Sequence, residues 1–176
     1  MSLIDETYFG FEPCYLGDFE SSNGYGNVVS NKLIEVRRSI KRFEPEYLTM
    51  LMGTELYAEY VSTITDPKWD ALKALLVNST DKISPIANFV YYRHRREHKF
   101  ESGDNGDYMT KKDNMIAVQP EHKMIIAWNN MVDLNIPILK WIWDYVICAE
   151  TTAIETTATW DYSQWETELL YKQIGY

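Results

Sequence analysis

His94, Glu97 and His98 are the residues of this chain whose types and spacing could do metal chemistry. They lie in the run Arg93-His94-Arg95-Arg96-Glu97-His98-Lys99. The order H-x-x-E-H puts two imidazoles on one helix face with a carboxylate beside them, an arrangement that zinc-dependent hydrolases use. His122 is available as a third ligand. The neighbourhood argues the other way. Arg93, Arg95, Arg96 and Lys99 surround the pair with fixed positive charge, whereas a divalent cation is better held in a dry pocket backed by acids. The expectation is a helix end in water or at a partner, with a metal-dependent hydrolase using His94, Glu97 and His98 as the lesser alternative.

Nothing else in the sequence supplies an active centre. There is no G-x-S-x-G, no phosphate loop, no G-x-G-x-x-G and no cysteine-rich cluster. Cys14 and Cys148 stand far apart with no C-x-x-C, so free thiols in a reducing compartment are expected. The methionine and tryptophan stripes read as core. No catalytic residue, cofactor or metal is expected, and the chain is read as a non-enzyme.

The element that must carry the basic run is Ser84 to Lys99. Ile86, Ala87, Phe89, Val90, Tyr91 and Tyr92 leave its first two turns almost without a polar side, as in a helix with neighbours all round. Ser84 is a natural N-cap and Pro85 suits the first helical position. From Arg93 the charge is too dense for burial unless every group is paired.

The other helices are announced by spacing and corners. Val29, Leu33, Val36, Ile40 and Phe43 form an apolar stripe, and Pro45 predicts that this helix stops at Phe43-Glu44. Pro45 then opens a short helix over Tyr47, Leu48, Leu51 and Met52, closed by Gly53, and Thr54 caps the next, over Leu56, Tyr57, Tyr60, Val61 and Ile64. Asp66-Pro67 starts a helix carrying Trp69, Leu72, Leu75 and Leu76. Pro120 begins another over Met124, Ile125, Trp128, Met131 and Val132. Asn135-Ile136-Pro137 predicts its end or a kink before Ile138, Leu139, Trp141, Ile142, Tyr145 and Val146 resume. Trp69, Phe89, Val90, Trp128 and Ile142 are expected in one core.

The 176 residues suffice for one sizeable core. The fold class predicted is all-α: a compact helical bundle over residues 30-147, with an extended loop or hairpin arm at 100-119. An irregular N-terminal arm spans 1-29 and a C-terminal arm 148-176. The N-terminal arm, rich in Gly and aromatics, lies either on its own core or on another subunit. The loop carries Tyr108, Met109, Met115, Ile116 and Val118 beyond a glycine-rich tip, and the tail carries Trp160, Trp165, Leu169 and Tyr171. These nine are the predicted interface residues, since aromatic anchors tend to dominate interface energy. A net charge of -9 excludes a protein that wraps nucleic acid with its whole surface. No run reaches the length of a membrane span, and no signal peptide opens the chain.

Three segments, RFEPEYLTMLMGTELYAEY from Arg42, SPIANFVYYRH from Ser84 and QPEHKMIIAWNNMVDLN from Gln119, resemble the head-tail connector (adaptor, or head-completion) proteins of tailed bacteriophages. The resemblance is to forms from phages of gut Bacteroidetes, including ring proteins of crAss-like phages. It covers roughly Ser30 to Asp144 and lies in helix order, corner residues and spacing. It implies an all-α virion subunit that assembles with itself into a ring, commonly of about twelve copies closed by heterologous contacts. The ring would join the portal protein to adjacent neck or tail proteins, with packaged DNA passing through, after assembly in the host cytoplasm. A non-enzymatic binding or scaffolding protein of another assembly is the alternative.

Overall fold

A computed structural model describes residues 2–16, 31–97, 101–103, 106–108 and 120–152. The fold is all-α. Its helices are α1 (Asn31–Met52), α2 (Thr54–Ser62), α3 (Asp70–Leu76), α4 (Pro85–Glu97) and α5 (Pro120–Thr152). Two three-residue strands, β1 (Glu101–Gly103) and β2 (Gly106–Tyr108), pair antiparallel with Glu101 opposite Tyr108. They form a small hairpin at the start of the predicted loop. The central helix α4 packs most extensively on α5 and next on α1.

Local chemistry fixes several starts as expected. Ser84 Oγ accepts from Ile86 N–H at 3.2 Å and donates to the Leu76 carbonyl at 2.8 Å, so one hydroxyl caps α4 and ties it to the end of α3. Asp66 accepts from Lys68 N–H ahead of a 3-10 turn, Pro67–Trp69, which leads into α3. The corner between α3 and α4 is a tight loop in which Asn78 Oδ1 accepts from the N–H groups of Thr80 and Asp81. Lys82 adopts a φ of 55° there, unusual outside glycine, and its ammonium sits 4.9 Å from the Tyr8 ring centroid.

The stop predicted before Pro45 does not occur, and of the end or kink expected at Pro137 the end does not occur. α1 continues through Pro45 to Met52, and α5 through Pro137 to Thr152. A helix-interior proline costs about 3 kcal/mol through a lost hydrogen bond and a crowded turn. Along α1, however, Ile40, Phe43, Tyr47, Leu48 and Leu51 are all buried on one continuous face, each contributing about 1.5–3 kcal/mol of transfer energy. Breaking the helix at Glu44 would split that face, so continuity wins. Both prolines are exposed. Gly53 does have a positive φ of 77°, but it is the N-cap of α2 and Thr54 is already helical. α5 also runs four residues past Cys148, into the segment expected to be a tail.

The core is one cluster that includes Trp69, Phe89, Val90, Trp128 and Ile142, as the spacing predicted. Tyr47 and Phe89 meet with ring centroids 5.4 Å apart, Tyr60 meets Trp69 edge-on at 5.3 Å, and Tyr92 packs on Trp128 at 4.7 Å. Residues 2–16 lie on this chain's own core. Ile4, Tyr8, Phe9 and Cys14 are buried in it, and a 3-10 turn, Glu6–Phe9, is capped by Asp5. Cys14 is a free thiol that donates to Asn88 Oδ1 at 3.3 Å, and burial pushes it up to about 12.

Candidate functional site

The basic end of α4 leaves the core only at Arg96 and Glu97, which are exposed, and not from Arg93 as expected. His94 is buried, and its Nδ1 lies 2.9 Å from Ser39 Oγ on α1. Arg93 pairs with Glu46 at 3.1 Å and lies over the rings of Phe43 and Phe89, at 5.2 and 5.9 Å from their centroids. Arg95 lies 5.6 Å over Tyr91 and donates to the Tyr15 carbonyl at 3.4 Å. Glu97 receives Arg42, which itself covers the outer face of Phe43 at 4.9 Å. The run is retained because its aliphatic stems and flat guanidinium groups can cover aromatic rings while their charges find acids or carbonyls. Burial raises the Tyr91 phenol, with the charge of Arg95 acting against it.

This geometry engages the residues that the metal motif would need. The His94 ring faces Ser39, and the Glu97 carboxylate faces Arg42. His122 is exposed near the start of α5, and His98 lies outside the described residues. Among the described residues no group of three or more His, Cys, Asp or Glu side chains is placed to hold a metal ion. Ser39 and His94 together make a hydrogen bond between two buried groups, and neither lines the two cavities described below. Its chemistry is that of a clamp between α1 and α4.

Of the nine predicted interface residues, Tyr108 has its backbone in β2. Met109, Met115, Ile116, Val118, Trp160, Trp165, Leu169 and Tyr171 lie outside the described residues. The structure instead exposes apolar groups that the sequence reading missed. On α5, Ile136 and Trp143 are 60% and 53% exposed. They are seven residues apart, two turns along one face, bordered by the exposed Asp133, Lys140 and Asp144. Phe11 and Ile83 are also exposed, beside a cavity of about 390 Å³ between residues 8–14, the 81–84 corner and α5. The signal for the α5 face was present: Ile136 and Trp143 fall outside the stripe of Met131, Val132, Ile138, Leu139 and Ile142. A tryptophan off the buried stripe asks for cover.

Among the described residues no helix is long and apolar enough to cross a membrane. No protein-family profile, curated protein or solved structure matches the chain.

Proposed function

We propose that the chain is the repeating subunit of a ring in the neck of a tailed bacteriophage, joining the portal of the head to the tail and letting DNA pass. The three segments that resemble connector proteins fall on α1–α2, α4 and α5, which share one core. The observation that supports the reading furthest is the exposed face of Ile136 and Trp143 on α5, the longest helix among the described residues. A ring subunit needs such a face, because each copy must hold its neighbour through a patch distinct from the one it offers on its other side. The net charge of -9 suits a passage that DNA crosses without sticking. The partners proposed are further copies of the chain, the portal protein and adjacent neck or tail proteins. The site of action is the virion neck.

Native mass spectrometry and negative-stain microscopy of the full chain test this directly. A closed ring of about twelve copies is expected, from heterologous contacts that close. A monomer at every concentration, binding one unrelated partner, would favour a scaffolding protein of another assembly instead.

A further inference from the structure

A cavity of about 630 Å³ lies between the N-terminal segment, α1 and α2, with Ile40, Leu48, Val61 and Ile64 among its walls. Two of its lining groups are out of keeping with an apolar cleft. Glu44 is 4% exposed, and its carboxylate is held by two neutral donors, the Ser2 hydroxyl at 2.5 Å and the Leu3 N–H at 2.8 Å. No ion pair among the described residues reaches it, and Arg37 at the rim is taken by Glu6. A carboxylate has about four acceptor positions, so two remain. Tyr60 is 1% exposed, lines the same cavity, and its hydroxyl has no hydrogen-bond partner among the described residues. Buried polar groups are seldom left so. Glu44 lines the cavity together with both phenols of α2, Tyr57 and Tyr60; burial raises Tyr60 to about 12 with Glu44 adding to it, and Glu44 likewise reinforces the upward shift of Tyr57.

From this cluster we propose that the cavity is a binding site for an alkylammonium group, whose N–H donors bond Glu44 and the Tyr60 oxygen while its chain lies on Ile40, Leu48, Val61 and Ile64. An ammonium brings the cation that the buried carboxylate lacks and three donors for the acceptors present. An alkyl carboxylate or phosphate would meet Glu44 with like charge. An alcohol would satisfy Tyr60 and leave the charge uncompensated. Lys41, at the rim, is exposed, so solvent screens its repulsion of an incoming cation. A free amine and a lysine side chain both carry such an ammonium; the recognition chemistry is the same. The site does not depend on the ring reading.

The test is a methyl NMR titration of the full chain at neutral pH and constant ionic strength, with hexylamine, hexanol and hexanoate as probes. Hexylamine is expected to shift the methyl signals of Ile40, Leu48, Val61 and Ile64 saturably, with hexanol and hexanoate at least about tenfold weaker. Glu44→Gln keeps an acceptor for Leu3 N–H and removes the charge, and is expected to lose the response. Tyr60→Phe should weaken amine binding without lowering Tm, because it deletes an unpartnered hydroxyl. Nα-acetyl-lysine amide binding more tightly than hexylamine would assign the ammonium to a lysine side chain, and the reverse order to a free amine. Absence of methyl shifts with both amines, hexanol binding as tightly as hexylamine, or unchanged amine binding in Tyr60→Phe would overturn the proposal.

Discussion

The hydroxyl of Tyr47, in the C-terminal third of α1, donates to Oδ1 of Asn135 on α5, and neither residue has any exposed surface. Each sits two residues from a proline inside its own helix, Pro45 for Tyr47 and Pro137 for Asn135. One buried bond thus joins the two weakened turns. Tyr47 is also packed on Phe89 of α4, so three helices meet at this point. Burial raises the Tyr47 phenol well above its ordinary range, keeping it the neutral donor that the contact requires.

Tyr47→Phe and Asn135→Leu are each expected to cost about 1–3 kcal/mol, the penalty for leaving one buried polar partner unmatched. The double variant should cost less than the sum of the two, since removing both partners relieves that penalty. Urea denaturation of the four proteins checks this. Strict additivity would show that the bond does not couple α1 to α5.

The failed prediction at Pro45 shows where the sequence was legible. Caps act within a few residues, so Ser84-Pro85 and Asp66-Pro67 could be read directly, and so could the periodic stripes that form the core. The fate of Pro45 was set by residues far away. Glu44 occupies a core position, one turn after Ile40 and one before Leu48, and it accepts from Ser2 and Leu3, about forty residues earlier at the N-terminus. A carboxylate on an apolar stripe was the visible sign of a polar partner, although its identity was not local. The basic run misled for the same reason: its charges looked solvated until Phe43, Phe89 and Tyr91 were placed beneath them.

Alkaline pH should unfold the protein through its buried acids of high pKa. Cys14 and Tyr60 are both raised to about 12, chiefly by burial. A group whose folded pKa lies above its unfolded value favours the folded state fully below the unfolded pKa, and that contribution is lost as pH rises toward the folded pKa. The unfolded values are about 8.5 for the thiol and 10 for the phenol, so stability should fall between about pH 9 and 12. Cys14→Ala and Tyr60→Phe should each flatten that fall in Tm against pH. Curves parallel to the parent over this range would mean that neither group carries the linkage. Iodoacetamide should correspondingly modify Cys14 only upon unfolding, because the thiolate is the reacting form.

Ile136 and Trp143 provide the remaining test, since the proposed ring needs an exposed apolar face through which copies can meet. Both side chains are more than half exposed, so Ile136→Glu and Trp143→Glu should change folding stability by no more than about 0.5 kcal/mol, as surface substitutions generally do. Placed at the centre of a contact between copies, the same charges would be desolvated without a partner and should release the subunits. The expected pair of results is therefore a Tm close to the parent and a shift from large species to monomer in light scattering. Asp133, Lys140 and Asp144 border the face, and exchanging Lys140 for Glu should weaken assembly less, because rim charges act mainly on association rate and salt dependence. If Ile136→Glu assembled normally at an unchanged Tm, the face would not be the contact. If it instead lowered Tm by many degrees, the face would be covered by this same chain, and the intersubunit contact would have to lie elsewhere.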